Sequence, residues 1–264
     1  MIAAKTNMVK KAEPEQTAST TLDGLLDRRV MLEQPVEGYR VAVDTVLLAA
    51  AVVAHAGEKI LDLGCGAGGA MLCLACRVRG IAVTGIDIQN EFVLLCRDNI
   101  VRNKSPADLS VQYADATKLP PALMGLFNHA MMNPPYHDES RHDVSALAQK
   151  RAANAEKTGD LALWIAGAAR ALKSSGALTL IHRADRREEI LILLKNDFGA
   201  IEILPVLPKE GAPPKRIIVR ARKGTAYTLT QRQNFVLHQE DGPYTNEAET
   251  ILRHMKALES LKQK

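Results

Sequence analysis

Strand-like apolar runs that alternate with helix-like segments through the middle of the chain confine it to the α/β class. Residues 60–63 predict a strand and 69–78 a helix. Strand 82–86 and helix 90–102 repeat the unit, and strand 110–113 leads on to strand 126–132. Strands joined by helices lie parallel, with right-handed crossovers. Farther on come helix 160–172, strand 176–182 and helix 185–195. The stretches 202–207 and 216–221 then predict an antiparallel pair at the sheet edge. The expected fold is a mostly parallel sheet with an antiparallel edge strand and helices on both faces. Residues 22–264 form one domain, with an extension at 22–56 and an appendage at 225–264. Within the extension, 22–31 predicts a short helix and 32–35 an extended piece, before a helix over 44–54 that Asp44 is placed to cap. The appendage predicts extended chain from Tyr244 and a helix over 246–261. Residues 1–21 are polar, charged and without periodicity, which predicts a disordered tail.

The ends of these strands carry the chemistry. Asp62-Leu63-Gly64-Cys65-Gly66-Ala67-Gly68-Gly69 turns the first strand into the first helix. Glycines there let the backbone take positive φ or come close to a ligand, and the helix start offers free N–H groups. The G-x-G-x-x-G spacing at 64, 66 and 69 fits either a nicotinamide dinucleotide, as in a dehydrogenase, or a nucleoside cofactor. The second strand ends at Asp87-Ile88, whose carboxylate suits a bidentate grip on ribose hydroxyls. The third ends at Asp115-Ala116, whose acid suits an adenine amino group. Each acid alone would serve as an ordinary helix cap. In series after successive strands, they outline one nucleoside site.

Asn133-Pro134-Pro135-Tyr136 closes strand 126–132. Neither proline donates to a ladder, so the tetrapeptide stops a strand whatever else it does. The Asn133 side-chain oxygen and the Pro134 carbonyl are uncharged acceptors, and the Tyr136 ring is a flat stacking face. That set suits a planar group with an exocyclic –NH2.

Taken in order, the segment 62–68, Asp87, Asp115 and Asn133-Pro134-Pro135-Tyr136 resemble the class I S-adenosylmethionine-dependent methyltransferases, in the methyltransferase small domain group. They are most like the bacterial tRNA adenine-N6 methyltransferases that modify tRNA-Val, where a segment like 38–50 precedes the glycine loop. The resemblance covers about residues 25–225. It implies a Rossmann-like fold with S-adenosyl-L-methionine as cofactor. Arg40, Asp44, Asp62, Gly64, Cys65, Gly66, Asp87, Ile88, Asp115, Ala116 and Asn133 would hold that cofactor. It also implies methyl transfer to an exocyclic amine, with adenine N6 in tRNA as the expected acceptor. Asn133, Pro134, Pro135 and Tyr136 would carry catalysis, and Tyr136 would stack on the base. A protein glutamine amide, as in a release factor, satisfies the same geometry and stays open as the acceptor. A non-catalytic cofactor-binding scaffold would need neither Asn133 nor Tyr136. Methylation at cytosine C5 would need a Pro-Cys nucleophile, and the chain has none.

Charge bears on the partner. A net charge of +4 is consistent with a polyanion without demanding one. Lys209, Lys215, Arg216, Arg220, Arg222 and Lys223 face only Glu210 in the stretch 209–223. By strand alternation Arg216, Arg220 and Arg222 share one face, which predicts a phosphate-contacting edge for RNA; a solvated hairpin would have the same composition. Aromatic residues are only 4% of the chain, so contact along a nucleic-acid strand would depend on charge more than on stacking. No apolar stretch reaches membrane-spanning length and no secretory leader pattern is present, so the expected location is the cytoplasm. Cysteines 65, 73, 76 and 96 read as reduced, buried thiols, and Trp164 reads as core. Cys73–Cys76 is a formal C-x-x-C, but it lies mid-helix with no second pair or metal-spaced His, and His137 and His142 have no strict ligand spacing, so no metal is expected. The charge-dense stretch 137–157 predicts a loop or lid.

Overall fold

In the computed structural model, which describes residues 19–36, 41, 43–135 and 161–258, the first strand of the glycine-loop unit lies inside the sheet, with a neighbour on each side. Ile60, Leu61 and Leu63 of β3 (Lys59–Leu63) are wholly buried. A strand with covered faces on both sides needs apolar residues at successive positions. Around it run β4 (Ala82–Asp87), β5 (Asp108–Tyr113), β6 (Phe127–Met132) and β7 (Leu172–Arg183), all parallel to it. Beyond β7 come β8 (Phe198–Lys209), β9 (Arg216–Lys223), β10 (Leu229–Gln231) and β11 (Phe235–His238). The strand order is β10-β8-β9-β7-β6-β3-β4-β5, with β11 also on β8.

Helices cover both faces. On one side α1 (Val43–Ala51), α2 (Gly69–Arg77), α3 (Asn90–Asn103) and α6 (Asn246–Leu252) pack on Ile60, Val83, Met131, Ile181 and Ile218. On the other, α4 (Leu161–Ala171) and α5 (Arg187–Leu194) pack on Leu61, Leu63, Ile86, Leu180 and Val219. The alternation of Ile60 and Leu61 between these two cores is the period-two rule of a strand. The expected Rossmann-like α/β architecture is present.

Three expectations need correction. The antiparallel strand β9 is not an edge: it is inserted between β7 and β8. The outer side of β8 is in turn paired by β10 and β11, which cover backbone groups that a twelve-residue edge would leave open. Residues 22–31 are not a helix. They belong to a hairpin of β1 (Thr20–Leu25) and β2 (Val30–Pro35), so Thr20 and Thr21 are strand and not tail. Leu26, Asp27 and Arg28 all take left-handed φ near +51° to +61°, which turns the chain back on itself. Finally, α6 starts as expected behind its Thr245 cap, whose Oγ1 accepts from the Ala248 N–H at 3.1 Å, but it ends at Leu252. Residues 1–18 and the expected lid at 137–157 lie outside the described residues.

Candidate active site

Because β3, β4, β5 and β6 are parallel neighbours, their carboxyl ends meet along one edge of the sheet. The chain winds outward from β3 in both directions, to β4 and β5 on one side and to β6 and β7 on the other. Such a switch point opens a crevice where ligands bind. Leu63 lies opposite both Ile86 and Met132, so Gly64, Asp87 and Asn133 leave the sheet side by side. The Ala114 N–H donates to the Asp87 carbonyl at 3.1 Å and brings Asp115 alongside.

The glycine loop is held from beneath. Gly64 and Cys65 donate their N–H groups to the Ile86 carbonyl at 2.8 and 3.0 Å. Gly64 has φ +68°, and a Cβ on it would stand 2.6 Å from the Trp164 ring. Both the turn and the close approach therefore require glycine. Asp87 is the organiser: Oδ2 accepts from the Gly66 N–H and Oδ1 from the Gln89 N–H, each at 2.9 Å. Burial raises its carboxyl above the usual range, and those N–H groups pull the other way. Asp62, buried beneath the loop, is pushed up to about 8 by burial, with the Asp87 charge adding and the Met71 N–H opposing. Asp62 Oδ2 has no hydrogen-bond partner among the described residues. Asp115 caps the 3-10 turn 116–118, its Oδ1 accepting from the Thr117 N–H at 2.8 Å and from the Thr117 hydroxyl at 2.6 Å. Ala116 is buried in that turn, while Ile88 keeps 39% of its surface exposed at the mouth of the crevice. Asn133 is half-buried, Pro134 buried and Pro135 exposed. Tyr136 and Arg40 lie outside the described residues.

Residues 39–206 match the family described as methyltransferase small domain. The chain belongs to this family. A tRNA1(Val) (adenine(37)-N6)-methyltransferase of Shewanella amazonensis is 27% identical over 219 residues, covering 81% of this chain and 90% of that protein. Among solved structures, a predicted O-methyltransferase from Agrobacterium tumefaciens superposes with a TM-score of 0.67 at 28% identity, over 81% of this chain and 97% of the other. The Thermus thermophilus 16S rRNA N2 G1207 methyltransferase, solved with its methyl donor and guanosine, superposes at 0.57 with 20% identity, over 81% and 53%. The sequence is that of an S-adenosylmethionine-dependent methyltransferase, which sets aside the nicotinamide reading of the glycine loop.

The methyltransferase crevice fits that cofactor. Gly66 has φ +53° and open space where a Cβ would stand, so a ligand can reach the loop backbone. Asp62 supplies a buried oxygen without a partner among the described residues, beneath the same loop. Each Asp87 oxygen accepts one N–H and keeps a further lone pair for a ligand hydroxyl. Cys65 is buried in the loop, and its thiol is held well up by contact with Cys96 and by burial, so it serves as packing and not as a nucleophile. All four cysteines are free. Among the described residues no group of three His, Cys, Asp or Glu side chains suits a metal, and no helix is long and apolar enough to cross a membrane. His137 and His142 lie outside the described residues.

Two of the three β9 arginines expected to contact phosphate are tied to carboxylates. Arg216 donates from Nε to Asp44 Oδ2 at 2.7 Å, and Arg220 is bonded to Glu202. Arg222 donates to the Ser175 carbonyl at 3.3 Å and is exposed. Alternation does put all three on one face, but β9 runs antiparallel to β7. Only Arg216 stands at the crevice edge, whereas Arg222 pairs with Ala177, halfway along β7. Asp44 is likewise not a cap: it lies one residue inside α1 and ties that helix to β9. Residue-by-residue reading misses Trp164 as the wall behind Gly64, and Asn99 of α3, whose Nδ2 donates to the Ala67 carbonyl of the glycine loop at 3.0 Å.

Proposed function

We propose that this methyltransferase acts on the N6 amino group of adenine in tRNA. The observation that carries the reading is the position of Asn133-Pro134-Pro135, at the carboxyl end of β6 and directly beside the glycine loop. The slow partner in such a reaction is the amine, whose lone pair is delocalised into the ring. Asn133 Oδ1 and the Pro134 carbonyl accept its two N–H bonds and turn the lone pair out of the plane. Charge developing on nitrogen then meets acceptor dipoles that are already oriented. Fixing the amine on the crevice edge removes the orientational part of the barrier. The chemistry S-adenosylmethionine supplies is an electrophilic methyl group on a sulfonium. Asp87 holds the ribose end of the cofactor site and Asp115 the adenine end. Asp62 and Asp87 fix the loop against which the amino-acid end lies. No general base is required, because the product ammonium is acidic and loses its proton to water. The target base has to leave its stack to reach Asn133.

The likeness to a tRNA1(Val) (adenine(37)-N6)-methyltransferase along nine-tenths of that protein supports this choice of acceptor. The test is incubation with total tRNA and methyl-labelled cofactor, followed by mass spectrometry of nucleosides and tryptic peptides. N6-methyladenosine is the expected product. Label confined to glutamine side chains would transfer the same site chemistry to a protein amide, and label in neither would end the amine reading.

A further inference from the structure

The geometry points to Asn99 as a positioning residue that holds the cofactor loop in register with the β1–β2 hairpin. In β2, Met31 and Glu33 turn their backbone groups away from β1 and toward α3, where an ordinary sheet would have a third strand. Two carboxamides take that strand's place. Asn103 Oδ1 accepts from the Met31 N–H and its Nδ2 donates to the Met31 carbonyl, both at 2.8 Å. Asn99 does the same at Glu33, again with both bonds at 2.8 Å. A carboxamide carries a donor and an acceptor side by side, like a peptide group, which is why Asn suits this place. The spacing also matches: four residues of helix advance about 6 Å, and two residues of strand about 7 Å.

Asn99 does one thing that Asn103 does not. The Nδ2 that meets Glu33 also donates to the Ala67 carbonyl, inside the glycine loop, at 3.0 Å. Asn99 is completely buried, so no water replaces either bond. A second tie runs from the same strand. Gln34 Oε1 accepts from the Val41 N–H at 2.8 Å, and Val41 packs 2.8 Å from where a Cβ on Gly69 would stand. The hairpin therefore grips the loop and the first residue of α2 from the outside, while Asp87 grips the loop from the inside. This role concerns the cofactor alone and is independent of which amine accepts the methyl group.

Asn103 is the built-in control, because Asn103→Ala loosens the same hairpin without touching the loop. Calorimetry with S-adenosylhomocysteine should show Asn99→Ala weakening affinity about tenfold, as expected when a buried acceptor loses its donor. Asn103→Ala should change it less than twofold. Amide exchange over residues 30–35 should rise in both variants. In steady state, Asn99→Ala should raise KM for S-adenosylmethionine and leave kcat at saturating cofactor near wild type. Should Asn99→Ala fail to fold, Asn99→Ser, whose hydroxyl is too short to bridge Glu33 and Ala67, carries the same expectation. Equal loss of affinity in the Asn99 and Asn103 variants would reduce Asn99 to hairpin docking and overturn the assignment. Wild-type affinity in folded Asn99→Ala or Asn99→Ser would overturn it as well.

Discussion

Asp62 occupies a position where a fold built for stability alone would carry a leucine. Its carboxyl is buried, lacks a partner on Oδ2 among the described residues and is pushed up to about 8 from an ordinary 3.8. A native acid that keeps its proton above the unfolded value contributes stability that is full below 3.8 and is lost progressively up to about 8. Denaturant titrations across that window should therefore show stability falling as pH rises. Asp62→Asn keeps the shape with nothing to ionise, and should flatten the fall. An unchanged slope would move the titration to another acid, with Asp87 next in line because burial raises it too. Asn133 answers to a different measurement. Asn133→Ala should lower single-turnover methyl transfer by about 10²–10³, the usual loss for one oriented polar group, with S-adenosylhomocysteine affinity nearly unchanged. A wild-type rate would remove Asn133 from the chemistry. Gly64, Asp87, Asp115 and Asn133 are legible in the sequence because each is a special residue type just past a strand-like segment. Asn99 and Trp164 are not, because their meaning lies in contacts with Ala67 and Gly64 that fold from elsewhere in the chain.

The elements show a similar division. The units β3-α2-β4-α3-β5 and β6 are readable from periodicity, since β3, β4 and β6 have apolar runs, β5 alternates, and the segments between them have helical length and spacing. The hairpin at 20–35 is disguised for a physical reason. Leu22, Leu25 and Leu26 are spaced as on a helix, and the turn that overrides this spacing uses three non-glycine residues in the left-handed region. β10 and β11 have three and four residues, and the residues of β10 are all exposed, so they carry no local signal. Only the open edge of β8 calls for them. The packing of α4 on the site is equally invisible. A Cβ on Gly167 of α4 would stand 2.1 Å from the Ala116 carbonyl, in the turn that follows Asp115. Arg170 fastens the same helix by donating to the Thr117 carbonyl at 2.9 Å. Gly167→Ala must therefore push α4 away from the site, at a cost of about 1–3 kcal/mol despite the better helix propensity of alanine. Urea denaturation checks this. A neutral or stabilising Gly167→Ala would mean that the turn yields instead of the helix.

At the scale of the whole molecule, the proposed tRNA acceptor raises the question of where a modestly basic protein would meet a polyanion. The stretch 209–223 concentrates positive charge in the sequence, but folding spreads it along β9 and pairs Arg216 and Arg220 with acids. Arg220 faces Glu202, which also meets Arg232 at 3.4 Å, and Arg216 is spent on Asp44. Arg222 stays exposed, but at the level of Ala177, four residues short of the rung beside Asn133. That is about 13 Å along the strands from the crevice edge. A phosphate held beside Asn133 is thus out of reach of Arg222, and Arg220 would have to give up Glu202 to bind one. Removing one cation that neutralises a phosphate should lower the log–log salt slope of RNA binding by about 0.7–0.9. Gel-shift titrations of total tRNA over a range of salt should show Arg220→Gln/Arg222→Gln with a slope within about half a unit of wild type, since Arg220 is tied to Glu202 and Arg222 stands away from the crevice. Arg216→Gln should act through α1 instead. A double-mutant cycle with Asp44→Asn should give a coupling of about 1 kcal/mol in stability, the upper range for a partly exposed pair. A slope lower by nearly two units in the Arg220/Arg222 variant would place RNA across the far half of β9, so that the nucleic acid wraps the sheet and does not simply enter its crevice.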